Sequence, residues 1–301
     1  MATEDISARY VELDGWPTLD AVEAMYEAQL SAVAAVRPAL AAIARAADDA
    51  AAGLRAGGRL VYAGAGTSGR VAVQDGAELP PTFDWPHDQL VFAMAGGNSA
   101  LIRSAEGAED DAQDAIRKVD EIGVGPNDVV IGLAASGTTP YTVAFVRRAT
   151  ERGAVSIGVA NNAGSPLLAA GRHAVLIETG VEVVAGSTRM KAGTAQKIVL
   201  NLLSTAIMIR LGRVYRGMMV HMQATNAKLH RRAAIMVALL TGCPETEADK
   251  ALRLCGFDVK LASLIVSGLT PDEAGALLDR HDGSLRAALA DLDRAANAQS
   301  R

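Results

Sequence analysis

Two glutamates and two hydroxyl-rich turns have the types and settings to do chemistry on a small anionic substrate. Glu78 stands in Gln74-Asp75-Gly76-Ala77-Glu78-Leu79-Pro80-Pro81-Thr82, where two prolines stiffen the chain. Glu106 stands in Arg103-Ser104-Ala105-Glu106-Gly107-Ala108-Glu109-Asp110, after a Gly96-Gly97 turn. Most glutamates are solvated surface groups. These two lie in irregular segments next to turns suited to phosphate. Two carboxylates facing a sugar phosphate are what proton abstraction beside a carbonyl requires when it is coupled to protonation of a leaving group.

The first turn lies in Leu60-Val61-Tyr62-Ala63-Gly64-Ala65-Gly66-Thr67-Ser68-Gly69-Arg70, an apolar run that breaks into glycines and hydroxyls. It reads as a buried strand, a phosphate-binding turn and a helix start. Gly66 lets the backbone approach an anion, the free amides of the helix start point at it, and the Thr67 and Ser68 hydroxyls add donors. The second turn, Ala134-Ala135-Ser136-Gly137-Thr138-Thr139-Pro140, again follows a strand and opens a helix, with Pro140 suited to its first turn. Ser136, Gly137 and Thr139 are its candidate contacts. Two such loops at one sheet edge can enclose a single phosphate with no lysine and no metal.

Gly64, Gly66 and Gly69 also satisfy G-x-G-x-x-G, which admits a dinucleotide. That reading wants an acidic residue at the end of the next strand, and the strand ends Met94-Ala95-Gly96-Gly97-Asn98-Ser99. No Gly-Lys-Ser/Thr closes a nucleotide P-loop. Arg189 and Lys191 head a long helical pattern, where service to an anionic substrate and bland capping or ion-pair roles stand equally open. His230 has no second histidine at ligand spacing, which favours a structural role.

The elements that must position these residues follow from periodicity. A helical stripe of Leu19, Val22, Tyr26, Leu30 and Val33 follows Thr18 as N-cap, and a second helix from Pro38 closes at Gly57-Gly58. Both are expected to be packing elements, their abundant alanines suiting close helix-to-helix contact, between subunits included, with residues 1–16 irregular. Short apolar runs at Arg59 to Ala63, Leu90 to Ala95, Asp128 to Ala134, Ala154 to Val159 and His173 to Glu178 alternate with helical patterns. The helical patterns are Arg70 to Gly76, Ala108 to Ile122, Pro140 to Arg152 and Ser165 to Ala170. That alternation predicts an α/β fold with a doubly wound parallel sheet, whose ligands gather beyond the carboxyl ends of the strands. A long helix at Ser187 to Leu211, another at Met218 to Leu240, and short ones at Glu245 to Leu254, Val259 to Ser267 and Pro271 to Asp279 predict a helical C-terminal module. The division expected is an N-terminal helical segment over 1–57, an α/β domain over 58–213 and a C-terminal helical region over 214–301.

Bulk properties narrow the partners. The 301 residues are half apolar, and a net charge of −5 from 29 basic and 34 acidic residues, with no long basic run, argues against nucleic acid. Cys243 and Cys255 are too few for a disulfide framework and match no metal-ligand spacing. Met1-Ala2-Thr3-Glu4-Asp5 lacks the features of a signal peptide, and no apolar run reaches about 18 residues, so no membrane partner and a cytoplasmic location are expected.

Taken together, the chain resembles the N-acetylmuramic acid 6-phosphate etherases of the sugar isomerase (SIS) superfamily. The matching runs are Gly64 to Arg70, Glu78 to Thr82, Ala105 to Asp110, Ala134 to Tyr141, Ser187 to Lys197, Ala224-Thr225-Asn226 through Leu229-His230, and Thr241-Gly242-Cys243. The resemblance implies cleavage of a D-lactyl ether on a sugar phosphate during recycling of cell-wall sugars. It places the family's two catalytic glutamates on Glu78, as proton donor, and Glu106, as its partner, and its phosphate loops on Thr67, Ser68, Ser136 and Thr139. It also implies a homodimer, with no metal or organic cofactor. The first 57 residues diverge from the family pattern, and Thr138 stands where some relatives carry arginine. A sugar-phosphate isomerase and a non-catalytic sugar-phosphate sensor on the same fold are the alternatives; they predict ketose product without lactate, and binding without turnover.

Overall fold

A computed structural model describes residues 2–103 and 105–299. The chain divides into two compact units, one made of Met1–Ala77 with Asp88–Ile207, the other of Glu78–His87 with Met208–Arg301. The first opens with three short 3-10 turns at Ala2–Glu4, Ala8–Tyr10 and Leu13–Gly15, where an irregular segment was expected. Helices α1 (Thr18–Ala34) and α2 (Leu40–Arg55) follow, separated by a 3-10 turn at Arg37–Ala39 that carries Pro38. Pro17, not Thr18, holds the N-cap position of α1, and no side chain caps it.

The sheet comes next: β1 (Leu60–Gly64), α3 (Gly66–Ala77), α4 (Leu79–Phe83), β2 (Leu90–Met94), α5 (Ala112–Ile122), β3 (Val129–Ala134), α6 (Pro140–Glu151), β4 (Val155–Ala160), α7 (Pro166–Ala170) and β5 (His173–Leu176). All five strands are parallel in the order β2-β1-β3-β4-β5, so the chain winds one way from β1 to β2 and the other way from β3 onward. The doubly wound sheet expected from the sequence is present, with each strand within two residues of its expected span. Strands β1, β3 and β4 are buried at every position because helices cover both faces, which explains their unbroken apolar runs. One core cluster runs from Val61 and Ala63 through Val130, Tyr141, Phe145 and Val146 to Leu167. At the amino edge of the sheet, Arg59 donates to Asp128, Ile122 O and Gly123 O, tying the start of β1 to the start of β3.

The long helix α8 (Lys191–Arg210) begins four residues later than its pattern suggested. In the second unit, a hairpin of β6 (Val214–Tyr215) and β7 (Met218–Met219) turns on Arg216 and Gly217, both at positive φ. The single helix expected over Met218 to Leu240 is therefore wrong. Only its second half is helical, as α9 (Ala227–Thr241), and it starts where the Asn226 side chain accepts from Leu229 N. Helices α10 (Glu245–Leu254), α11 (Val259–Val266), α12 (Pro271–Arg280) and α13 (Leu285–Gln299) complete the unit, the last of them unanticipated. Thr270 and Glu273 form a reciprocal capping box on α12. A separate core holds this unit together, with Tyr215, Val220, Val237, Leu252 and Leu264 among its members.

Two stretches, Thr18–Arg55 and Lys191–Arg210, are long and apolar enough to cross a membrane by length and composition alone. The first is interrupted at Arg37–Ala39.

Helix α1 divides its two faces by size. Its buried face is alanine, at Ala24, Ala28 and Ala32, while the large apolar residues Leu19, Val22, Tyr26, Leu30 and Val33 are each at least half exposed. Small side chains let a helix backbone sit close to what it packs on.

Candidate functional site

The strand order places the site. Strands β1 and β3 are neighbours, paired from Leu60↔Val129 to Gly64↔Leu133, and they lie where the winding reverses. At such a point the turns leaving two adjacent carboxyl ends diverge and open a crevice. The two turns there are the two hydroxyl-rich ones.

Three glycines build the first turn, each for its own reason. Gly64 and Gly69 are packing glycines: a Cβ on Gly64 would lie 3.0 Å from the Gly69 backbone, and one on Gly69 would meet Gly64 O at 2.9 Å and Met94 Sδ at 2.6 Å. Gly66 opens α3 at φ +53°, facing open space. The first turn of α3 therefore starts directly beyond β1. Its leading amides, Gly66, Thr67 and Ser68, have no intrahelical acceptor, and the first bond closes at Gly69 N to Ala65 O.

Ser68 is buried, and its Oγ donates to Gln196 Oε1 at 2.9 Å. Gln196 Nε2 donates in turn to Asn161 Oδ1 at 3.1 Å, and Asn161 Nδ2 donates to Ile177 O. This buried chain links the turn after β1, the end of β4 and α8. Gln196 and Asn161 were missed in the sequence because an amide among small residues on a helix carries no spacing signal. Gly193 of α8 lies against Thr67, where an added Cβ would stand 3.3 Å from Thr67 Cγ2.

The second turn is equally constrained. Gly137 has φ +71°, and a Cβ there would fall 2.1 Å from Ser165 Oγ. Ser136 Oγ accepts from Thr138 N at 3.1 Å and from Thr138 Oγ1 at 3.0 Å. With its lone pairs engaged, the Ser136 hydroxyl is set to donate, the polarity a phosphate oxygen needs. Thr138, where an arginine was considered, serves as the closing member of this turn. Thr139 is the N-cap residue of α6 and makes no side-chain cap bond.

A cavity of about 360 Å³ adjoins the first turn and is lined by Ala65, Gly66 and Arg70 together with Met94 and the 105–109 loop, including Glu106 and Glu109. The structure thus brings Glu106 and Gly66 to one cavity. Arg70 does not offer its charge freely there: its guanidinium donates to Ala100 O and Leu101 O, pinning the loop after β2. Glu78 is exposed, holds the N-cap position of α4 without capping it, and belongs to the other packing unit. Three residues before it, buried Asp75 accepts from Tyr62 Oη at 2.8 Å, Asn201 Nδ2 at 2.9 Å and Ser204 Oγ at 3.3 Å, fixing the end of α3. Burial raises the Asp75 carboxyl above the usual range and outweighs the bonds that lower it.

The head of α8 is already occupied. Glu182, fully buried, accepts from Lys191 N and Ala192 N, both at 2.9 Å, and Lys191 Nζ donates to Val181 O. Burial lowers the Lys191 pKa, against the pull of Glu182. The cap of α8 is thus Glu182, and the Lys191 ammonium is held by a backbone carbonyl of the preceding segment. His230 likewise has a structural setting, with Nε2 2.9 Å from Ala224 O and its ring stacked on Phe257 at 3.9 Å.

A second cavity, of about 310 Å³, lies within the other unit, lined by Asp84, His221, Gln223, Phe257 and Asp258 among others. Burial, helped by Lys260 and Arg213, pushes the His221 imidazole down to about 3, so it is neutral at physiological pH. Among the described residues no group of three or more His, Cys, Asp or Glu side chains is arranged to hold a metal.

Comparison with known proteins bears on these turns. A model described as the SIS domain matches residues 112–206, and one described as the glucokinase regulatory protein N-terminal SIS domain matches residues 42–150. The chain is 46% identical over 288 residues to the N-acetylmuramic acid 6-phosphate etherase of Deinococcus radiodurans, covering 95% of this chain and 94% of that one. It is 45% identical over 295 residues to the protein of the same name from Streptomyces avermitilis, covering 98% and 95%. Among solved structures, a phosphoheptose isomerase from Francisella tularensis superposes with a TM-score of 0.47 at 17% identity, covering 64% of this chain and 98% of that one.

Proposed function

The chain belongs to the N-acetylmuramic acid 6-phosphate etherases, and from that premise we propose that it cleaves the D-lactyl ether of N-acetylmuramic acid 6-phosphate. The products are N-acetylglucosamine 6-phosphate and D-lactate, and the setting is recycling of cell-wall sugars. The observation that carries the reading is the relation to etherases at 45–46% identity over 95–98% of the chain, joined to the two hydroxyl-rich turns that follow the neighbouring strands β1 and β3.

In this reading the sugar phosphate lies over the switch point. The amides of Gly66, Thr67 and Ser68, the Thr67 hydroxyl, and Ser136, Gly137 and Thr139 bind its oxygens, while the Ser68 hydroxyl keeps α8 in place through Gln196. The pyranose opens to the aldehyde, which makes the proton on C2 acidic. A glutamate takes that proton, and the C2–H electrons form a C2=C3 double bond as the C3–O bond to lactate breaks. A second carboxyl protonates the departing lactate oxygen. Water then adds across the double bond, its hydroxyl at C3 and a proton at C2, so the net change is hydrolysis of the ether. Glu78 serves as the proton donor and Glu106 as its partner. An aldehyde that accepts the developing charge asks for no metal or organic cofactor. The enzyme works as a cytoplasmic homodimer.

The deciding experiment incubates purified protein with N-acetylmuramic acid 6-phosphate and assays D-lactate enzymatically. Stoichiometric D-lactate and N-acetylglucosamine 6-phosphate are expected. A ketose phosphate without lactate, or tight binding without turnover, would refute the etherase.

A further inference from the structure

We propose that the exposed face of α1 is a two-fold interface, on which a second copy of this chain seats its own α1 antiparallel, with Tyr26 on the axis. The proposal rests on the homodimer inferred above and gives that assembly a surface.

The stripe that a single copy leaves open is unusual in size and in pattern. Leu19 is 66% exposed, Val22 50%, Tyr26 64%, Leu30 53% and Val33 52%, all on one helix of 17 residues. Its spacing reads the same in both directions: Val22 and Leu30 lie four residues either side of Tyr26, and Leu19 and Val33 lie seven either side. In an antiparallel pair related by a two-fold through Tyr26, a residue n positions before the axis meets the partner residue n positions after it. Val22 then meets Leu30, Leu19 meets Val33, and Tyr26 meets its own copy, so every large side chain has a large apolar counterpart. A parallel pair makes no use of this symmetry, and it sets the two helix dipoles side by side in the same sense.

The stripe contains no charged residue. Glu27, on its flank, is paired with Arg9 of the same chain at 2.5 Å. Lipid is a poor competitor for this face, because interfacial helices carry Lys and Arg beside their apolar stripe and α1 has neither.

The area of the stripe is that of a small, reversible interface. Five half-exposed large side chains contribute roughly 500 Å² per copy, below the 800 Å² or so that each partner of a standard interface buries.

The test is oxidative cross-linking of full-length protein, with the unsubstituted chain as control for Cys243 and Cys255. Tyr26→Cys is expected to give a disulfide-linked dimer in high yield. Leu19→Cys is expected to give none, because in the antiparallel pair the two copies of that position lie about 21 Å apart along the helix axes. In parallel, Val22→Glu/Leu30→Glu, checked for native circular dichroism, is expected to shift the mass by light scattering from dimer to monomer. Cross-linking at both positions would overturn the antiparallel arrangement. A dimer that neither cross-links at Tyr26→Cys nor dissociates in the double variant would overturn this surface while leaving the homodimer standing. A monomeric unsubstituted protein, including one that sediments with phosphatidylglycerol vesicles, would overturn both.

Discussion

At the scale of single residues, the two candidate carboxylates differ in setting from the two buried ones. Glu78 and Glu106 are exposed, whereas Asp75 and Glu182 are buried and fully engaged with donors. Glu78→Gln and Glu106→Gln are each expected to lower kcat by about a hundredfold or more, while the Kd for N-acetylglucosamine 6-phosphate measured by calorimetry changes little. His221 yields a second prediction. Folding lowers its pKa to about 3, so between that value and the ordinary 6.5 the unfolded chain holds the extra proton. Stability is therefore kept above pH 6.5 and lost as the pH falls below it. From pH 6.5 to pH 5 the expected loss from this group is about 2 kcal/mol or less, and urea unfolding of His221→Gln should show a flatter acid limb than the unsubstituted protein.

Among the secondary-structure elements, the head of α8 carries the clearest energetic claim. The Glu182 carboxylate accepts two amides and places a negative charge on a helix start. Glu182→Gln keeps the shape and one acceptor but loses the charge, and it should lower the free energy of unfolding by about 1–2 kcal/mol in chemical denaturation. This element also shows where sequence reading stops. The strands were legible because runs such as Val129 to Ala134 are apolar on both faces and end in glycine or hydroxyls. Helix α9 was legible as the second half of a longer expected helix, but the β6–β7 hairpin was not, since two-residue strands around Arg216-Gly217 leave no period to read. The function of a helix start was legible as a position and not as an occupant. Which group fills it depends on Glu182, nine residues upstream in a segment without periodicity.

For the molecule as a whole, the sequence located the apolar stripe of α1 as a packing face and left open whether its partner lies in the same chain or in another subunit. Periodicity identifies the face with the large residues; it cannot tell burial within a chain from burial between chains, and here the alanines took the interior. If that face is covered by a second copy, stability is linked to association. The Tm measured by calorimetry should then rise by several degrees over a hundredfold increase in protein concentration, and Tyr26→Glu should remove that dependence. The positions of the two hydroxyl-rich turns were legible for the opposite reason. Glycines and hydroxyls at a strand end are local signals, and the parallel order of β1 and β3 brought the two turns side by side without needing any long-range cue.

The buried bond from Ser68 to Gln196 spans 128 residues of chain. A contact that far apart in sequence loses chain entropy before it returns anything. The turn it holds after β1, with the anion crevice proposed beside it, is therefore expected to close late, past the folding transition state. A ligand that needs the finished crevice has nothing to grip in the unfolded chain or at the barrier. In stopped-flow experiments with saturating N-acetylglucosamine 6-phosphate, the refolding rate should stay unchanged and the unfolding rate should fall in proportion to ligand occupancy. For this enzyme, substrate would act as a latch on the native state without guiding the chain toward it.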